Sequence, residues 1–279
     1  MDPDGYFAAA AGPRAPLVAP PRSRRSNLLP ALLVLLAVVG TGAIISVERA
    51  KAAAYPPLTA VTTPAAIGQG WSASYVDSSG RPARWDPCRP IHYVVQTRWM
   101  PVGGRADLAA ALARISRVSG LTFVDDGDTD ELPGTTRAAY QPDRYGKRWA
   151  PLLVGWVPPA QTDLGIGAGI AGVTVAVAVP NAGGGSIVTG QLALDADHRL
   201  PAGFGPGATE GEVLLHELAH AVGLGHVLDP TQVMYPQTTN SESQFGAGDR
   251  AGLRAVGRPA GCHPAPHPHA LRTIVSPAH

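Results

Sequence analysis

The chain has 279 residues, 45% of them hydrophobic, and a formal charge of +1 at pH 7, enough apolar material for one sizeable core plus appendages. That charge comes without a basic stripe after residue 60, which excludes a nucleic-acid footprint and steering by net charge. The two cysteines, Cys88 and Cys262, lie far apart and outside any CxxC spacing, so they are one disulfide or two buried thiols.

Residues 1–27, with DPDG, GPRAP and APPRSRRS, are too rich in proline and too aperiodic to fold, and are expected to form a disordered cytoplasmic tail. Residues 28–47, LLPALLVLLAVVGTGAIISV, run for about twenty positions without a charge, enough for a helix to cross about 30 Å of hydrocarbon. Arg14, Arg22, Arg24 and Arg25 precede this run, which puts the N-terminus in the cytoplasm and everything after Val47 outside, as a single-pass membrane protein. A cleaved signal peptide is the rival, with Ala50-Lys51-Ala52 as its processing site; the run exceeds the usual signal core, which favours a retained anchor, and cleavage near Ala52 would give a secreted protein. Both readings are extracytoplasmic, and there Cys88 and Cys262 are expected to bond to each other.

Residues 48–82 read as a stalk, a Pro/Thr/Gly linker in which only WSASYVDSSG hints at a strand. Globular patterning starts at residue 83. Ile91–Gln96 is the first strand, with His92 a packing or surface residue. RADLAAALARISRVSG follows as a helix with Leu108, Leu112, Ile115 and Val118 on one face and Gly120 as its stop. LTFVDD, PLLVGWV, GVTVAVAV and SIVTGQLALD are further strands. The NAGGG between the last two lacks GKS or GKT and reads as a hairpin turn, not a phosphate loop. Thr209 and Glu212 form a capping box that opens a helix with Val213, Leu214, Leu218, Ala221 and Val222 available for packing. GAGDRAGLRAVGR closes the domain as a short helix with Leu253 and Val256 inward. Proline separates the histidines of residues 263–279, so His263, His267, His269 and His279 are assigned to a disordered tail.

The chemistry concentrates in HELAHAVGLGHVLDPTQVMYP, His216 to Pro236. Residues four apart share one helix face, so His216 and His220 can present two nitrogens to one ion. Gly223 can take positive φ, end the helix and let the chain return His226 as a third ligand. Three protein ligands and an open position are the composition of a catalytic zinc site. Glu217 sits about 100° around the helix from His216, where it can act as general base towards a water.

HELAHAVGLGH fits HExxHxxGxxH at every specified position, and with VLDPTQVMYP the segment resembles the matrixin branch of the metzincin peptidases. The resemblance implies an α+β metzincin fold over residues 83–262. Its parts are a twisted, mostly parallel sheet of about five strands with an antiparallel edge strand, a long active-site helix and a C-terminal helix, preceded here by the one transmembrane helix. It makes Met234 the Met-turn residue beneath the ligands and implies a zinc endopeptidase of extracytoplasmic proteins or peptides, with one catalytic zinc.

The departures carry information too. Where the family's edge strand reads GDxHFDxDE, this chain has GQLALDADH, Gly190 to His198. Ala193 stands in place of the histidine, so a second, structural zinc is not expected. Asp195 and Asp197 remain candidate calcium ligands, although His198 fills an acidic position. Val227 replaces the usual serine after the third ligand. Tyr235 is given no catalytic role, and PQT leaves the wall of the pocket for the residue after the scissile bond undefined. No PRCGxPD motif is present, which argues against Cys88 as a zymogen switch. Two other functions fit the same residues, a catalytically silent zinc-stabilised binding module and a hydrolase of a cell-envelope amide. Nothing in the sequence indicates an oligomeric state.

Overall fold

In a computed structural model, residues 58–66, 68–237 and 244–268 are described. The expected tail and anchor, residues 1–47, lie outside them, as do His269 and His279. Among the described residues no helix is long and apolar enough to cross a membrane.

The described part of the expected stalk, residues 58–66 and 68–82, is built into the fold. Strands β1 (Thr59–Ala60) and β3 (Tyr75–Val76) pair with each other. Between them β2 (Ser72–Ala73) pairs with β10 (Leu224–Gly225) from the far end of the domain. Ser74 adds two bonds, its N–H to Gly223 O at 2.9 Å and its hydroxyl to Leu224 O at 2.6 Å. Composition pointed to a linker because a two-residue strand has no periodicity; pairing with residues about 150 positions away carries this arm instead.

The sheet takes β4 (Ala83–Arg84), β5 (Ile91–Gln96), β6 (Phe123–Thr129), β7 (Leu152–Val157), β8 (Gly172–Asn181) and β9 (Gly184–Asp195). Its order is β4-β9-β7-β5-β6, all parallel, with β8 antiparallel on the other side of β9. That is six strands where about five were expected, the short β4 being the addition. It also corrects the position of the edge strand. Gly190 to Asp195 lie in the interior strand β9, flanked by β7 and β8, and the antiparallel edge is β8. Alternation cannot separate the two, since nearly every residue of both is buried.

Helix α1 (Gly104–Ser119) buries Leu108, Ala111, Leu112 and Ile115, the face its spacing predicts; Val118 packs at the rim of the core. A four-residue α2 (Pro142–Tyr145) interrupts the polar connection before β7. Helix α3 (Glu210–Ala221) opens where Thr209 Oγ1 accepts from Glu212 N at 3.2 Å. Leu214, Leu215 and Leu218 are fully buried there, because α3 lies between α1 and the β8–β9 end of the sheet. Helix α4 (Ala247–Val256) buries Leu253 and Val256 as expected.

Cys88 and Cys262 are disulfide-bonded, with Cα atoms 5.3 Å apart. Beyond Cys262 the tail is docked rather than disordered as far as residue 268. His263 is 5% exposed, with N–H to Asp86 Oδ1 at 3.1 Å and Nε2 3.0 Å from Gly185 O. Trp149 Nε1 donates to Pro266 O at 2.8 Å. The bonds come from other strands and loops, which the spacing of histidine and proline cannot reveal.

Candidate metal centre and catalytic cavity

Helix α3 ends where its work requires. His220 lies one turn past His216, Val222 closes the helix, and Gly223 follows at φ 115°. A Cβ at Gly223 would sit 3.0 Å from Ala83 O, so both the backbone angle and the space demand glycine. The chain then forms β10 and delivers His226.

The three imidazoles meet. Nε2 of His216 is 3.1 Å from those of His220 and His226, and the latter two are 3.0 Å apart. Ligands at about 2.05 Å from a tetrahedral zinc would be separated by about 3.3 Å, so the donor set fits such an ion with a small expansion. The tautomers fit as well. His216 Nδ1 is 2.7 Å from Val233 O and His220 Nδ1 is 2.7 Å from Leu224 O. Each Nδ1–H therefore donates to a carbonyl and leaves Nε2 with its lone pair facing inward. Burial, with repulsion from His226, brings His216 down to about 4; burial and its two neighbours hold His220 well below its usual value, and burial lowers His226. At neutral pH the trio is uncharged, the state that binds metal.

Glu217 is 5% exposed, and its carboxylate lines the same cavity. Burial pushes it up to about 7, opposed by a hydrogen bond from Thr174. Thr174 Oγ1, on β8, lies 2.7 Å from Glu217 Oε2 and 3.0 Å from Glu217 O. Two residues earlier, a Cβ on Gly172 would fall 2.7 Å from Glu217 Cγ. The edge strand thus seats the glutamate with one hydroxyl and one missing methyl. The cavity, about 500 Å³, is lined by Gly169–Val173, at the start of β8, and by Val233, Tyr235, Pro236 and Gln237. Thr238, the last residue of PQT, lies outside the described residues.

Met234 is 1% exposed and belongs to the main core. What holds its turn was not visible in the sequence. Asp249, on α4 and 1% exposed, accepts Val233 N at 2.7 Å, Gly246 N at 2.8 Å and Met234 N at 3.3 Å. Burial raises its pKa against those bonds. Gln232 accepts Asp249 N at 2.9 Å. Trp85 Nε1 donates to Ala221 O at 2.8 Å and so satisfies the end of α3. The N-terminal arm reaches the third ligand directly, Ala65 N donating to His226 O at 3.0 Å. None of these residues sits in a recognisable spacing with the histidines.

The structure lends no support to calcium at Asp195 and Asp197. Asp195 Oδ1 accepts Asp197 N at 2.9 Å and His198 N at 3.3 Å, closing its own turn. Among the described residues neither belongs to a group of three or more converging ligands. His92 lies 2.7 Å from Asp126 at the surface, away from the trio.

A mixed α/β domain with a mostly parallel sheet and three converging histidines on and after a buried helix, a group that could hold a metal ion, is compatible with the metzincin fold. The chain is matrixin-like: residues 160–256, from before β8 to the end of α4, match the sequence model of the Matrixin peptidase family. No curated protein matches the chain.

Proposed function

We propose that this chain is a zinc endopeptidase of extracytoplasmic proteins or peptides, with His216, His220 and His226 as ligands and Glu217 as general base. The observation that carries the reading is the three Nε2 atoms within 3.0–3.1 Å of one another beside a glutamate seated by Thr174. The chemistry a zinc ion supplies there is polarisation of the scissile carbonyl and acidification of water. Glu217 accepts the proton of the attacking water and returns it to the leaving amine. Beside Gly172 and Val173 the side of β8 away from β9 borders the cavity, where an extended peptide can add as a strand. The Cys88–Cys262 disulfide supports an oxidising compartment, in line with the anchor or signal read at residues 28–47.

The test is the full chain purified with zinc. We expect about one zinc per chain, cleavage of a protein substrate, loss of cleavage with chelator, and in Glu217→Ala a loss of activity with zinc retained. A silent zinc module would bind the metal equally and cleave nothing in either form. An unchanged rate in Glu217→Ala would reject the mechanism.

A further inference from the structure

The open edge of β8 ends against the N-terminal arm. Asp195 N donates to Ala171 O at 2.9 Å, which turns Ala171 towards the β9 side. By the alternation of an antiparallel pair, Gly172, Thr174 and Ala176 turn their N–H and C=O groups the other way. Among the described residues no second strand pairs with β8 on that side. Gly172 lines the cavity and Thr174 holds Glu217, so these two are the positions beside the histidines where an added strand would pair. Two residues past Thr174, about 7 Å along the strand, the edge is taken: Tyr75 Oη donates to Ala176 O at 3.0 Å.

Tyr75 is held there by the fold. It is 6% exposed, and burial raises its pKa, so the hydroxyl keeps the proton it donates. It belongs to β3, and its neighbour Ser74 is bonded to Gly223 O and Leu224 O, on the chain between the second and third histidines. Leu58 and Ala60 pack with Tyr75 against Ala176 and Ala178. The arm thus covers β8 at Ala176 and Ala178 and leaves the stretch beside Glu217 open. A strand added antiparallel to β8 would run its N-terminal residues towards Ala176 and meet the phenol there.

We propose that Tyr75 is a stop for the substrate strand. With the scissile bond beside Gly172 to Thr174, where Glu217 sits, the site recognises the main chain of about two residues on the N-terminal side of the cut and none beyond. The proposal rests on the peptidase reading above and deepens it. Tyr75 is the specificity residue, and Glu217 keeps the proton chemistry.

Two measurements on the full zinc-loaded chain test it. The first compares kcat/KM for acetylated peptides that share the residues after the cut and carry one to five alanines before it. The second measures, without turnover, the affinity of alanine peptides of the same lengths that end in a hydroxamate. In both, the parent protein should gain up to about the second residue and then level, the reach of the open edge. Tyr75→Ala should gain a further two- to tenfold or so from the longer members, the range of one backbone hydrogen bond; zinc content and thermal unfolding establish that the variant is folded. Gains that continue in the parent from the third to the fifth residue would overturn the stop even if the variant fails to fold. So would a series that is flat from the first residue, or a folded Tyr75→Ala that levels at the same length as the parent. Cleavage without levelling removes the Tyr75 assignment and leaves the peptidase. Levelling in hydroxamate affinity with no peptide cleaved does the reverse.

Discussion

Replacing Asp249 by Asn asks how far the metal centre depends on a residue that cannot touch the metal. Asp249 holds three backbone N–H groups, of Val233, Gly246 and Met234, while Val233 O accepts His216 Nδ1 at 2.7 Å. The carboxylate therefore fixes the carbonyl that fixes the first ligand. An amide of the same shape keeps one acceptor oxygen and turns an NH2 towards at least one of those donors. Losing one bond to a charged group and leaving a buried donor facing another donor costs about 3 kcal/mol, a drop in Tm of roughly 6–12 °C for a domain of this size. Because His216 loses its orientation, zinc affinity should fall about ten- to a hundredfold. Thermal unfolding of the metal-free protein and competition with a fluorescent chelator read the two effects separately. The gap in Tm should narrow at acid pH, since burial raises the Asp249 pKa and a protonated acid resembles the amide. An unchanged Tm together with unchanged zinc affinity would refute the chain of contacts from α4 to His216.

Thr174→Val should lower kcat about tenfold or more with KM little changed, because the Glu217 carboxylate loses its hydroxyl partner. Thr174→Ser should restore most of the rate, and equal losses in both would reduce Thr174 to a packing residue. Replacing Cys88 and Cys262 together by alanine should destabilise the domain by up to about 5 kcal/mol in the chain-entropy model, with zinc content preserved in the folded fraction; denaturant titration measures it. Metal-free protein should lose stability as pH falls from 6.5 to about 4. In that window the unfolded histidines bind protons ahead of His216, lowered to about 4, and of His220 and His226, also lowered, in the folded chain. Glu217, raised to about 7, and Glu210 and Asp249, also raised, bind their protons first in the folded chain and work the other way, so the share of the histidines is read as a difference between variants. The loss on acidification should be smaller in His216→Gln, and an identical pH dependence in both proteins would contradict the burial of the trio.

The convergence of His216, His220 and His226 and the pivot at Gly223 were legible because they obey local rules. The offsets between His216, His220 and Gly223 are helix geometry, and one turn of α3 plus one positive φ brings His226 to the other two. Core faces such as Leu108, Leu112 and Ile115 follow from the same periodicity. The supporting residues were not legible because each works through a contact distant in sequence. Thr174 looks like any threonine in an apolar strand until β8 is laid against α3, and Asp249 like any surface acid until α4 meets the Met-turn. The arm at residues 58–76 reads as linker because its strands are two residues long and find their partners across the chain.

The amino-acid sequence by itself determined which imidazoles can converge, since a helix carries its own ruler and residue types at fixed offsets state which atoms can meet. Which strand forms the edge of the sheet, what seats the glutamate, that the presumed stalk braces the third ligand and that Asp195 spends its carboxylate on its own turn were decided by the tertiary structure. The reason is physical: a buried strand, a buried carboxylate and an extended arm take their partners from wherever the chain returns, and no local spacing encodes that return.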